Sequence, residues 1–278
     1  MPDVQEQMTN VDTNVRKWGT ALIAFQAPDA PIPTSFFGVS DFLPILPVDA
    51  KQLGFVTTDG FSQEDSISSE VVNMLQTLEP VRRDLTGIEK SLTFAAGEDN
   101  AFVQALWHGV PFEDWPAVAT GSWIFDDGEI AQYPEYRMIL LLQDGVGSNA
   151  RYRVEYGYRV TVTAKTARTM NRTDAESFGF TLGLMRDPVV KKSFTRAQNG
   201  PTYLNDASAT AVLTADAVTS VTVDNGGSGY VAPTVTFVGD GTGATATAVV
   251  TDGVITAINV TAGGSGYTVA PDVVISRA

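Results

Sequence analysis

The sequence predicts a mainly β protein: a strand-rich domain with one α-helix over residues 1–205, then a small C-terminal all-β domain over residues 206–278. Three observations lead there. A strand–glycine turn–strand unit recurs near the C-terminus, long alternating segments fill the middle of the chain, and one segment alone carries a clear helical period. The composition also shifts near residue 205, beyond which Lys and Arg almost vanish and Gly, Thr, Val and Ala dominate. A linker is therefore expected at about Asn205–Asp216.

Taken in order, Ala21–Ala27 reads as a short apolar strand. Pro28–Val48 has prolines at 28, 31, 33, 44 and 47. They remove N–H donors and fix φ, so an extended arm is expected rather than a helix. Its apolar residues Phe36, Phe37, Phe42, Leu43, Ile45 and Leu46 need cover, either from the same domain or from a neighbouring subunit, and are candidate inter-subunit residues. Leu53–Thr57 is expected to be a strand stopped by the turn signal Thr58-Asp59-Gly60, and Asp59 and Gly60 join the inter-subunit candidates. Ile67–Leu75 alternates weakly, and Asp84–Ala95 contains a further strand pattern. Glu98–His108 is the helix: Ala101, Phe102, Ala105 and Leu106 share a face, acids sit in the first turn, and Gly109 follows the end.

Three strands follow. Tyr136–Gln143 ends at Asp144-Gly145. In Arg151–Lys165, Tyr152, Val154, Tyr156, Tyr158, Val160 and Val162 face one way, and Arg151, Arg153, Glu155, Arg159, Thr161 and Thr163 the other. Ser177–Met185 puts Phe178, Phe180, Leu182 and Leu184 on one side and stops at Arg186-Asp187-Pro188. In the C-terminal domain, Val218–Gly239 and Ile255–Ser276 each read as strand, glycine turn, Tyr, Ala-Pro, strand, and the block Gly226–Tyr230 recurs 37 residues on as Gly263–Tyr267. Ala244–Val250 and Val254–Val260, split by Asp252-Gly253, are two more strands. Such repetition points to a modular β structure for display or assembly rather than to a catalytic pocket.

The net charge of −14 is unevenly placed. Residues 1–135 carry six cations against 21 acids, residues 136–205 carry 11 against 5, and residues 206–278 carry one against 6. A chain this acidic is a poor candidate for holding nucleic acid. The cations of the middle segment (Arg151, Arg153, Arg159, Lys165, Arg168, Arg172) are spread along strands, which reads as a solvated or partner-facing surface. Unlike halves also suit head-to-tail self-association. The absence of cysteine excludes disulfides and thiolate metal sites and fits synthesis in a reducing cytoplasm. No apolar run reaches the ~18 residues that span a bilayer, so no membrane insertion is expected, and no signal peptide is visible.

The chemistry-bearing residues form no recognisable catalytic set. His108, the single histidine, ends the helix, where a cation complements the dipole. Glu113 and Asp114, or Asp126, Asp127 and Glu129, could be acid/base or Ca²⁺ groups, but they lack calcium-loop spacing and read as solvated turns. Gly239–Gly243 resembles a phosphate loop yet lacks the following Lys and helix, so a hairpin turn is expected. Trp115, Trp123, Tyr133 and Tyr136 could line a sugar site, core packing being the commoner use. Tyr230 and Tyr267 follow equivalent glycine turns, where they are candidate surface-ligand residues, for example toward host glycans, or close the turn by packing. No metal or cofactor is expected.

The order of elements resembles a known family. The Pro-rich arm, LGFVTTDG (Leu53–Gly60), LTFAAGEDNAFVQALWHG (Leu92–Gly109), the long strands and FGFTLGLMRDP (Phe178–Pro188) are similar to the major tail tube proteins of long-tailed, siphovirus-type phages, especially those of actinobacteria. The resemblance covers roughly residues 15–195, and the GGSGY repeats look like modules appended to virion proteins. It implies a β-sandwich or barrel with one packed helix and a long loop reaching the next ring. It further implies a non-enzymatic virion protein, made in the host bacterial cytoplasm, that forms hexameric rings stacked into a DNA-conducting tube. Implied partners are other copies of itself, the tape measure protein, and the tail terminator and distal tail proteins. DNA would pass without sticking if acids lined the lumen. The alternatives are a capsid decoration or host-surface-binding virion protein, and a carbohydrate-active enzyme carrying a repeat module.

Overall fold

A computed structural model describes residues 15–39, 41–75, 77, 79–125 and 133–277. It is mainly β, with one α-helix and fourteen strands among these residues. The chain divides into two compact units. The first holds residues 1–34, 46–144 and 153–198; the second holds residues 35–45, 145–152 and 199–278.

The first unit is a curled sheet wrapped on one helix. Its strands are β1 (Thr20–Gln26), β2 (Lys51–Gln52), β3 (Val56–Val72), β4 (Arg82–Ala96), β5 (Tyr136–Asp144), β6 (Arg151–Lys165), β7 (Phe178–Met185) and β8 (Phe194–Asn199). They pair in the order β2-β1-β5-β6-β7-β4-β3, with β8 on β6. The two ends of this path are drawn together by one segment. Lys51 and Gln52 pair with β1, and Val56 pairs with Ala96 of β4. The alternating apolar residues of β7, Phe178, Phe180, Leu182 and Leu184, are all buried, as their period requires.

Helix α1 (Ala101–His108) starts three residues later than expected. Asn100 is the N-cap and accepts from the Phe102 and Val103 N–H groups, both at 3.0 Å. The acids therefore precede the cap instead of occupying the first turn. Gly109 ends the helix at φ +67°, the left-handed position that favours glycine. Residues Ala101 through Leu106 are all buried, including Gln104, so the helix is enclosed on more than one face.

Several expectations change. The strand expected to stop at Thr58-Asp59-Gly60 instead continues as β3. Val56 lies opposite Ala96 and Phe61 opposite Phe94, so the turn signal marks a wide bulge with Gly60 at φ +69°. The segment Pro28–Val48 is not an extended arm throughout. Within the second unit, Phe36 and Phe37 fold back on Pro44 and Ile45 through Gly38 N–H to Leu43 C=O and Ile45 N–H to Phe36 C=O, both 2.9 Å. Asp41 accepts from the Leu43 N–H and Phe42 takes φ +55°, which together turn the chain.

The second unit also contains a closed six-stranded barrel, in the order β10-β13-β12-β11-β14-β9. Its strands are β9 (Ser208–Thr214), β10 (Ala217–Asn225), β11 (Thr234–Val238), β12 (Thr242–Thr251), β13 (Val254–Ser265) and β14 (Asp272–Ser276). The expected linker Asn205–Asp216 thus contains strand β9, which pairs with β10 along its length. Two-residue turns at Ala215-Asp216 and Asp252-Gly253 have positive φ at both positions, the hairpin geometry matched to strand twist.

Candidate assembly surface

The two family-like motifs meet in space. Gly54 takes φ +89°, and a Cβ there would lie 2.3 Å from the Glu98 carboxyl carbon. Glu98 Oε1 accepts the Phe55 N–H at 2.8 Å, and Asn100 Nδ2 donates to Leu53 C=O at 2.8 Å. The side chain of Asn100 thus caps α1 with its oxygen and pins the β2–β3 connection with its nitrogen. The co-occurrence of LGFVTTDG and GEDNAF is explained by this clamp, which is structural. Beside it opens a concavity of about 770 Å³, lined by Lys51, Glu98, Asn100, Phe102, Phe112 and Val118 among others. Lys51 Nζ donates to Trp115 C=O at 3.1 Å and lies 4.7 Å from the Phe112 ring, and burial lowers its pKa. Glu98, the carboxylate beside it, is engaged with the backbone.

The outer part of the β3–β4 hairpin is open. β4 pairs with β7 only from Ser91 (opposite Gly183) to Ala96 (opposite Phe178). Beyond Ser91, from Lys90 to Arg82, it pairs with β3 alone, and β3 ends the sheet path. A two-stranded ribbon results, with both edges unpaired among the described residues. Register assigns its faces. Phe94 and Leu92 lie in the core, and period two continues their face outward through Lys90 and Ile88, opposite Asp65 and Ile67. A bulge at Thr86 then sets Leu85 opposite Ser69. The core face thus runs out into solvent, with Ile67, Leu85 and Ile88 exposed by 67%, 62% and 54%. The other face carries Glu64, Ser66, Ser68 and Glu70 opposite Ser91, Glu89, Gly87 and Asp84. It is a serine–carboxylate surface relieved by one Arg82–Asp84 pair at 2.6 Å.

Where the core ends, a polar chain ties down the ribbon base. Lys90 Nζ donates to Asp65 at 3.0 Å, Gln63 Nε2 to Asp65 at 3.2 Å, and Arg196 bridges Gln63 Oε1 at 2.6 Å and Glu155 at 2.8 Å. The Lys90 hydrogen bond, with that of Gln63, holds the Asp65 carboxyl below its ordinary range. Of the cations expected on a solvated or partner-facing surface, Lys165 and Arg172 are exposed, while Arg153 and Arg159 have partners within the unit. Arg159 grips Glu135 through two bonds of 2.5 and 2.6 Å, and Arg153 lies 4.5 Å from the Trp18 ring while donating to Gln198 at 3.0 Å. Both faces of β6 are buried over Val154–Tyr158, so its alternation did not mark one wet face.

The remaining candidate residues do not converge on a reaction centre. His108 stacks on Phe125 with centroids 5.9 Å apart. Glu113 and Asp114 are exposed on a single 3-10 turn, and Asp126, Asp127 and Glu129 lie outside the described residues. Trp115 and Tyr136 are core residues whose N–H and O–H both donate to Val110 C=O, at 2.9 and 2.7 Å, and burial raises the Tyr136 pKa. Trp123 and Tyr133 are at the surface. Among the described residues no cluster of three His, Cys, Asp or Glu could hold a metal ion, and no helix is long and apolar enough to cross a membrane.

Gly239–Gly241 links β11 to β12, with Thr242 and Gly243 already in β12, and Asp240 accepts from the Thr268 N–H at 3.1 Å. Tyr230 and Tyr267 pack inside the barrel, each 2% exposed, so neither ring is presented as a surface-ligand platform. Tyr230 Oη accepts the Ala207 N–H at 2.8 Å, and Gly241 leaves room for the Tyr267 ring, from which a Cβ would be 2.5 Å away. Of the inter-subunit candidates, Leu43 and Ile45 are exposed; Phe36, Phe37, Phe42 and Leu46 are half-buried; Asp59 and Gly60 lie in the β3 bulge. The ribbon residues Ile67, Leu85 and Ile88 were missed, because a polar, serine-rich surround hides their period. Ile88 two residues before Lys90 and four before Leu92 was the available signal.

No protein-family model matches the chain, and no curated protein matches it. Among solved structures, a chain of one described as "Cryo-EM structure of the anti-feeding prophage (AFP) baseplate, 6-fold symmetrised" is similar over 70% of this chain and 99% of that chain, at 8% identity and a TM-score of 0.32.

Proposed function

We propose that this protein is a non-enzymatic structural subunit of a phage virion, and specifically the major tail tube protein of a long-tailed phage. Copies of it form hexameric rings that stack into the DNA-conducting tube. The carrying observation is the β3–β4 ribbon. A two-stranded ribbon is marginal in water, and unpaired edges are templates for another chain. This one extends the core face of its domain beyond the domain, so a neighbouring copy completes the core. Burying Ile67, Leu85 and Ile88 would contribute about 1.5–3 kcal/mol each. The opposite face, with Glu64, Glu70, Asp84 and Glu89, suits a lumen that repels DNA phosphates. The remaining support is the sequence resemblance, from which the tape measure, terminator and distal tail partners follow. The closed barrel favours a display role on the same particle, and decoration or host binding is the second reading.

The test is electron microscopy of the purified protein and of virions labelled with antibody to residues 206–278. Hollow tubes in the purified protein and label along the whole tail are expected. Label restricted to the capsid or tail tip would reject the tube reading in favour of decoration or host binding.

A further inference from the structure

The C-terminal barrel is one unit built twice, and the match runs further than the GGSGY block. Ala207–Tyr230 aligns with Ala244–Tyr267 at a spacing of 37, and Val231–Val238 with Val269–Ser276 after a single inserted residue, Thr268. Strand β9 is then the counterpart of β12, β10 of β13, and β11 of β14. Replacing every strand by its counterpart in the ring β10-β13-β12-β11-β14-β9 returns the same ring, read in the other direction.

The contacts between halves are reciprocal. Tyr230 N–H donates to Gly253 C=O at 3.0 Å, and Tyr267 N–H to Asp216 C=O at 3.1 Å; Asp216 and Gly253 are counterparts. Val221 pairs with Ile258, its own counterpart, and on the opposite side of the ring Thr236 pairs with Val274, again its own counterpart. Antiparallel pairs centred on counterpart residues are what a twofold axis makes of two identical strands. Neither half is finished alone. Val221 packs against both barrel core clusters, and a three-stranded repeat would leave Val221, Tyr230 and Val235 uncovered.

We propose that each repeat is a self-complementary interaction surface whose partner is a second copy of the same repeat. The barrel is a fused dimer, and a chain left with one repeat recruits another chain through it. This inference does not rest on the tube reading.

The test uses chains carrying Ile88→Lys, so that the ribbon does not contribute to association. In the first, the full-length chain, residues 244–276 are replaced by the sequence of residues 207–238. It should fold with a protease-resistant barrel and keep the mass of its parent. In the second, the chain ends after residue 239, and a control ends after residue 206. Light scattering should find the one-repeat chain at twice the mass of one copy and the control at one. The chain has no cysteine, so Val221→Cys in the one-repeat chain should link two copies on oxidation, whereas Val223→Cys, two residues off the axis, should not. A duplicated-repeat chain with no barrel, a one-repeat chain at the mass of one copy, or equal linking at both positions would overturn the proposal.

Discussion

The barrel and the β3–β4 ribbon are both antiparallel β structure drawn from alternating sequence, yet one is complete and the other is open. Every barrel strand has two neighbours, and its tyrosines are inside. In the ribbon each strand has one neighbour, and isoleucine and leucine point into water. The difference is one of closure. A closed sheet has no edge for another chain to extend, so it suits a display unit. An open ribbon that carries its own core face outward has binding energy still to gain. Assembly should therefore be sensitive at the ribbon and indifferent to the barrel, while the stability of the free chain should show the reverse.

The largest effect should come from Ile88→Lys. A charge placed where an apolar contact forms loses roughly 1.5–3 kcal/mol of burial per subunit and adds desolvation. Repeated at every subunit, this should abolish polymers by sedimentation and microscopy. The monomer should melt within about 3 °C of the parent, since Ile88 is exposed there. Intact polymers in the variant would break the comparison at its base.

Tyr267→Ala should act oppositely. Removing a large core ring costs about 3–5 kcal/mol, which a small barrel with a divided core cannot absorb. The barrel should lose hydrogen-exchange protection, and polymers should still form. Deleting residues 206–278 extends the same test, and loss of polymers on either change would mean that the barrel takes part in assembly.

Much of this contrast was legible in the sequence, but unevenly. The repeat, the helix and strands β5, β6 and β7 follow from period and turn residues, because in those segments local preference and burial agree. Strand β9 lies where the composition shift points to a linker, because a change of composition marks a boundary without giving its exact position. Its kinship with β12, Ser208–Thr214 against Thr245–Thr251, shows only when the repeat is extended toward the N-terminus. The bulge at Asp59-Gly60 looks like a strand end in the sequence because the same residues serve both. The ribbon was least legible, since its apolar residues are exposed and spaced among serines and acids, so no buried face enforces a clean alternation. The clamp of Glu98 and Asn100 on Leu53 and Phe55 was present in the motifs, but nothing in a linear sequence brings residues that far apart together.

A finer test separates the two halves of the barrel. Tyr230→Phe strands the Ala207 N–H that its hydroxyl accepts, an expected cost of about 1–3 kcal/mol. Tyr267→Phe should cost under about 0.5 kcal/mol, because that ring acts by packing. Equal losses in denaturant unfolding would show that the repeats are closer to equivalent than their hydrogen bonds imply.

The smallest expected effect concerns the ribbon base. The hydrogen bond from Lys90, then that from Gln63, lowers the Asp65 pKa in the folded chain. A carboxyl depressed on folding stabilises the native state above its unfolded pKa of about 4, and that contribution is lost as pH falls through the folded value. Asp65 is exposed, so the effect is local and screened by salt. Hydrogen-exchange protection at Glu64–Ile67, corrected for the intrinsic rate, should therefore fall on acidification below about pH 4, and Asp65→Asn should remove that loss. The global melt cannot serve as the readout. Asp187, held down chiefly by the Val190 N–H, and Asp240, chiefly by the Thr268 hydroxyl, titrate with the same sign elsewhere. An acid-dependent loss that survives in Asp65→Asn would move its origin off the ribbon and leave Ile67 and Ile88, not the ion pair, as what holds the two strands in register.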